Sequence, residues 1–460
     1  MKLVFKSLVL AVLLTANLLS AAPLRVAAFS CDATPPLGEP MIWATPLQSV
    51  VTPLLAKGIV LEDGTNRMVL CAFDWCLIGN ESESNFRNTL ARAAGTLPAQ
   101  VSVHSIHQHA APYADEGAHR LLDAAPNPPA HLSAGFLADL RQRLARAVSE
   151  ATNRLEVFDR LGTGEAKVER VASARRIHDA NGKLLTRYSN SGKDKAMADA
   201  PEGDIDPRLK TITFARGDKP LVRLHFYATH PQTFCCDGRA SADFVGEARE
   251  DLEKEEHIPE IYFTGCAGDV TVGKYNDGSA EAYAGLKKRL GEGMRNAIAA
   301  THFEPARTIR WRTGAVSFPL RDAREKVVAQ SQAWLNDVKQ PDAQRVYFGA
   351  MRLAFVERLE RPVEVSALQL GGAWIVNLPG EPMLKFQRLC QSLRAKDFVA
   401  VAGYDDCGPA YICTEQAIYE GGYEPGASNV GHGSEPALRE AIQDLLAGAM
   451  AARVEKSSTK

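Results

Sequence analysis

Net charge, basic runs and long hydrophobic segments are all scarce in this 460-residue sequence. The formal net charge is only -2, so no global field draws in nucleic acid or an anionic membrane surface. Lysines and arginines are interspersed with acids and no polybasic run occurs, which argues against a nucleic-acid partner. Beyond the N-terminal segment no apolar stretch approaches the ~20 residues that cross a bilayer, so no stable membrane anchor is expected. There is no repeat of solenoid length, no low-complexity block, and no CxxC pair of the kind that builds a structural zinc knuckle.

What remains is the composition of a folded protein, with 45% hydrophobic and 23% charged residues. The chain opens with Lys2 and Lys6, an apolar run from Leu8 to Leu19, and small residues at Ser20, Ala21 and Ala22. That order predicts a signal peptide over residues 1–22 and an exported protein, periplasmic or secreted. Export permits disulfides. The nine cysteines are an odd number, so at least one is unpaired within the chain. The neighbours Cys235 and Cys236 stand close to His230 and fit either a vicinal disulfide or two buried thiols. No feature of the sequence sets an oligomeric state.

Short β-rich runs alternate with helical stretches, without a regular βαβ rhythm. Gly58 to Phe73 reads as a hairpin turning at Glu62-Asp63-Gly64. Leu221–Tyr227, Ile258–Phe263 and Val365–Asn377 read as strands. Ala134–Leu155, Ala280–Ala299, most of Ala323–Glu357, and Glu435–Arg453 carry helical spacing. The polar segment Ser189–Pro207 reads as a loop inside one domain. The expected fold is α+β: mixed β-sheets flanked by helices in one large domain spanning residues 23–455.

Five segments carry candidate chemistry. Val101–Ile106 reads as a strand delivering His107 and His109. Residues two apart on a strand share a face, so both histidines can converge on one ion or substrate atom. His230 follows the strand ending at Tyr227. Downstream of it, Asp243 either orients a histidine or sits as a carboxylate at a helix N-terminus. Gly268-Asp269-Val270-Thr271 offers Thr271 as nucleophile or hydrogen-bond donor, or is a plain glycine-rich turn. Glu381, in a turn after a buried strand, is a metal ligand, a general base or a solvated turn residue. Tyr411 lies in a loop dense in tyrosine, glycine and cysteine.

In this order the five segments resemble the neutral/alkaline (non-lysosomal) ceramidase family, over roughly Leu24 to Arg453. His107-Gln108-His109-Ala110-Ala111-Pro112 resembles its HTHSGP motif, and His230 with Ser241-Ala242-Asp243 its second histidine segment. Gly268-Asp269-Val270-Thr271 resembles its GDVS motif, Gly380-Glu381 its GE motif, and Tyr411-Ile412-Cys413-Thr414 its YxTT-like stretch. The resemblance implies a Zn2+ site built from His107, His230, Glu381 and Tyr411, with His109 facing the same cavity. It places Arg175, or its neighbour Arg176, near the scissile amide, and implies hydrolysis of a small-molecule or lipid N-acyl substrate. His109, Arg175 or Thr271 would supply donors to the oxyanion. No counterpart of the family's C-terminal immunoglobulin-like domain is expected. Thr271 replaces the family serine, Ala110 replaces the HTHSGP serine, and Val272-Gly273-Lys274-Tyr275 replaces its SPN, so the tie to ceramide itself is loosened. Two other readings are a TIM-barrel-type amidohydrolase, which also begins from HxH, and a non-catalytic exported metal- or ligand-binding protein.

Overall fold

The computed structural model describes residues 22–339 and 342–447; the expected signal peptide lies almost wholly outside them, as does the end of the expected C-terminal helix. Three larger sheets dominate, and each is built on one plan. The first takes β1 (Arg25–Asp32), β2 (Leu55–Glu62) and β3 (Arg67–Phe73) as an antiparallel meander. Helix α1 (Asn80–Ala94) then crosses over, and β4 (Val101–Ser105) returns parallel to β3. Helix α2 (Ala134–Thr152) packs on α1 and β1.

The second sheet repeats this. β5 (Arg160–Lys167), β6 (Arg208–Arg216) and β7 (Lys219–Tyr227) are antiparallel, α3 (Asp243–Glu256) crosses over, β8 (Glu260–Thr264) runs parallel to β7, and α4 (Ala280–Ala299) packs outside. In the third, β9 (Ile309–Val316) is followed by a helical hairpin, α5 (Arg324–Leu335) and α6 (Ala343–Glu357). Then come β10 (Val363–Leu370), β11 (Ala373–Pro379), the crossover α7 (Leu384–Leu393), β12 (Phe398–Asp405) parallel to β11, and α8 (Ser434–Ala447). Short strands, Glu156–Val157 and His302–Pro305, extend the outer edges of the first two sheets.

The crossover strands β4, β8 and β12 pack against one another at the centre. All three are buried along nearly their whole length, and the polar side chains that β4 carries inward, such as Ser102 and His104, are held by partners, Asp405 and the Thr264 amide. Asp74, just after β3, receives a bidentate pair from Arg249 of α3 at 2.8 and 2.9 Å, both fully buried, which ties the first unit to the second. The fold class is α+β, as the mixed spacing implied. The sheets are open and mixed, so the TIM-barrel alternative is not the architecture. The hairpin closes on Glu62 opposite Arg67 as expected, and Ala323–Glu357 resolves into two helices. Cys235 and Cys236 are bonded to each other, while the other seven cysteines are buried free thiols.

Candidate metal centre

In each sheet the C-terminal ends of the two parallel neighbours point inward. One end supplies a side chain to the centre and the other supplies a backbone carbonyl that holds it. Ligands commonly bind beyond the carboxyl ends of strands where a crossover splits the connections.

His107 follows β4, and the segment after β3 presents the Cys76 carbonyl to its Nδ1 at 2.6 Å. His230 follows β7, and the segment after β8 presents the Ala267 carbonyl to its Nδ1 at 2.7 Å. Glu381 follows β11, and beyond β12 the Ala410 carbonyl accepts its backbone N–H at 2.9 Å. The turn before Glu381 needs Gly380: its φ is +66°, and a Cβ there would lie 2.6 Å from the Ala410 oxygen.

These contacts fix the chemistry. A carbonyl can only accept, so each Nδ1 carries the proton and each Nε2 is left as a lone pair. Burial, and then the charge of Arg175, push the His230 pKa down to about 3, so it stays neutral. The Nε2 atoms of His107 and His230 stand 3.1 and 3.3 Å from the same Glu381 oxygen, Oε2. All three atoms are buried, and none has a hydrogen-bond donor among the described residues. Three electron-rich atoms crowded together without a donor are costly, and a divalent cation relieves that cost. The separations match a tetrahedral edge of about 3.3 Å for zinc bonds of about 2.0–2.1 Å. Histidines whose other nitrogen donates to a carbonyl are the usual form of metal ligand. The residues present therefore fit zinc. Cys76, His107 and His109 also cluster; burial raises the Cys76 thiol well above its ordinary pKa, and its carbonyl serves His107.

Tyr411 pairs with Glu381 in a short parallel ladder that brings its ring to the same point. Its ring lies parallel to His230 at 6.4 Å, and its hydroxyl accepts from Arg175 Nη1 at 2.9 Å. Burial lifts the phenol well above its usual pKa although Arg175 opposes this. Arg175 also donates to the Gly268 carbonyl and faces Glu424 at 3.9 Å. Burial disfavours its charge, but Tyr411 and Glu424 outweigh that and hold it protonated. Arg176 instead pairs with Glu424 and Glu420 at 2.8 and 2.9 Å, away from the centre. The His109 ring lies 5.1 Å from that of His107, and both its nitrogens are buried without partners among the described residues. Burial, then its histidine neighbours, keep it well below the ordinary imidazole pKa.

Three expectations are corrected. His107 and His109 do not share a strand face: β4 ends at Ser105, and His107 has φ of +69°, so a turn aims the rings. Asp243 does not reach a histidine. It begins α3 and accepts from the Thr233 and Phe234 amides and the Thr233 hydroxyl, holding the loop after His230. Thr271 neither faces the cavity nor offers a donor to it; it is fully buried and its Oγ1 accepts from the Gly273 amide at 3.3 Å. Its backbone joins Ser173 on one side and His230 on the other. Thr271→Val is accordingly expected to cost about 1–3 kcal/mol by orphaning that amide, read as a lowered urea midpoint, whereas Thr271→Ser keeps the acceptor and costs less.

Several contributors were not among the candidate residues, although Tyr404 opens the tyrosine-rich segment around Tyr411. Tyr404 stacks on His107 with centroids 4.5 Å apart, and its hydroxyl is 3.3 Å from His230 Nδ1. Glu424 is fully buried beneath both arginines. The next residue after Tyr404, Asp405, accepts from Ser102 at 2.7 Å, and its other oxygen faces His104 Nδ1 at 3.8 Å. Burial pushes its pKa up to about 8. The folded state therefore holds a proton that the unfolded chain releases near pH 4, so stability falls as pH rises from about 4 to about 8. Asp405→Asn should flatten that slope and gain most at pH 8, as urea midpoints at pH 5 and 8 will show.

A cavity of about 380 Å³ opens directly on His107, Glu381 and Tyr411. Its walls are largely apolar, with Trp43, Tyr113, Phe348 and Met351 among them, the usual character of a small-molecule site. No family model matches the sequence, and no curated protein matches it. Solved structures do match in shape. A neutral ceramidase from Pseudomonas aeruginosa superposes with a TM-score of 0.68 at 15% identity, over 93% of this chain and 75% of that one. A ceramidase solved in complex with C2 gives a TM-score of 0.67 at 14% identity, over 95% and 76%. The chain has the fold of the neutral ceramidases.

Proposed function

We propose that the chain is an exported zinc-dependent hydrolase that cleaves an amide bond of a small-molecule or lipid N-acyl substrate. The observation that carries this is the trio of lone pairs on His107, His230 and Glu381, without a donor among the described residues, two of whose members, His107 and Glu381, line an apolar cavity. Tyr411 completes the set that would hold the ion. Zinc bound there supplies a Lewis acid and lowers the pKa of water to about 7. The chain's own residues do the rest. Arg175, held on the Tyr411 hydroxyl and not itself lining the cavity, would set its positive charge behind Tyr411 to favour the negative charge that grows on the carbonyl oxygen. His109, neutral and with both nitrogens without partners among the described residues, can donate its ring N–H to the same oxygen. The dry apolar walls strengthen each of these interactions. The kinship of fold with ceramidases supports the acyl-amide class, and the lysine-led apolar segment before Ala22 supports export.

The test is metal content of the purified protein together with hydrolysis of a fluorescent ceramide and shorter N-acyl amides. About one zinc per chain with turnover of any of them is expected. Zinc without turnover would favour the binding-protein reading, and absence of zinc would overturn the site.

A further inference from the structure

Helix α6 contributes one face to the cavity wall, with Gln344, Phe348, Met351 and Arg352 at helical spacing. Three of these give the neutral surface expected around an acyl chain. Arg352 is different. Its guanidinium lies 5.1 Å from the Trp334 ring centroid and has no hydrogen bond or ion pair to a carboxylate among the described residues. Nearby Asp322 is already shared by Arg321 at 3.0 Å and Lys326 at 2.7 Å. The other charged residue on the cavity wall, Glu381, belongs to the metal centre. The cavity wall therefore carries one acidic metal ligand, and α6 adds a cation that no carboxylate hydrogen-bonds among the described residues.

The Trp334 ring offsets part of the hydration that this partly buried arginine loses, but it leaves the N–H groups of the fork without an anionic acceptor, which a ligand can supply. Burial, with the neighbouring Arg321, lowers the Arg352 pKa to about 10, which still leaves it charged at neutral pH.

We propose that the substrate is an acidic N-acyl amide: its apolar part lies along Phe348 and Met351, and a carboxylate on it pairs with Arg352. This rests on the amide-hydrolase reading of the metal centre. It also distinguishes the natural substrate from ceramide, which is uncharged.

A homologous series of α,ω-diacid monohydroxamates, each beside its ω-methyl ester, tests this by calorimetry on the zinc-loaded full chain. The hydroxamate anchors both partners of a pair at the metal, so only the far end differs. At the best chain length the free acid should bind about 10- to 100-fold tighter than the ester, the worth of a charge-assisted hydrogen bond. Arg352→Gln should bring that ratio close to one, and Arg352→Lys should restore part of it. Because the reading is a ratio, a general loss of affinity in a variant does not disturb it. A wild-type ratio near one at every length, or a ratio unchanged in Arg352→Gln, would overturn the proposal and leave the hydrolase reading intact. If neither member of any pair binds, the metal-centre reading falls and takes this one with it.

Discussion

Glu381→Gln is expected to lose its zinc and at least about a thousandfold in turnover, while its metal-free form melts above the metal-free parent. The first part follows from charge. The amide is neutral and a poor zinc ligand, and a catalytic metal contributes several kcal/mol to the transition state, where each 1.36 kcal/mol is tenfold. The second part follows from the lone pairs. In the parent without metal, two imidazole nitrogens and a carboxylate oxygen meet at 3.1 and 3.3 Å with no proton between them. Glutamine of the same shape brings two N–H donors to those nitrogens, removing a penalty of about 1–3 kcal/mol. His107→Ala shares the loss of zinc but not the gain in melting temperature, because it opens a hole under Tyr404. Metal analysis, kinetics and thermal melts with and without chelator separate the cases. A Glu381→Gln protein that retains stoichiometric zinc and turnover would remove the site from consideration.

Arg175→Met should keep the zinc yet lower kcat by about 10²–10³, the usual worth of one fixed donor at a developing oxyanion. Loss of affinity for the ground-state amide should be smaller, since the carbonyl gains most of its charge on the way to the transition state. The buried Glu424 left behind still has Arg176 at 2.8 Å, so the fold is not left with a lone buried carboxylate. Steady-state kinetics on samples of measured zinc content make the comparison. A kcat within threefold of the parent would assign Arg175 to structure alone, as a brace between Tyr411 and Glu424.

How far the sequence foretold this depends on what each feature is made of. Hairpins and amphipathic helices are local, and the Glu62–Arg67 closure and the Ala280–Ala299 helix were readable from spacing. His107, His230 and Glu381 stood out as chemical residues just past strand-like segments, but only the resemblance of the five segments to the ceramidases joined them into a ligand set. What orients them was not readable, since the Cys76, Ala267 and Ala410 carbonyls belong to every residue type alike. Thr271 and Asp243 lie in the right neighbourhood but turn their side chains elsewhere, a matter of one or two backbone angles such as the φ of +56° at Asp243. Tyr404 and Glu424 reach the centre through tertiary packing alone. The threefold plan of the sheets was invisible because the three units share topology without sharing spacing or motif.

That plan has a historical consequence. Each unit carries its own meander, crossover and covering helix, and meets its neighbours through one side chain at the shared point, an apolar seam and a limited set of buried polar links such as Asp74–Arg249 and Ser102–Asp405. Away from those links, substitutions inside a unit need only be compatible with that unit. Lineages with this architecture can thus drift apart until ordinary sequence signals vanish, while the ends of the central strands keep meeting at the same spot.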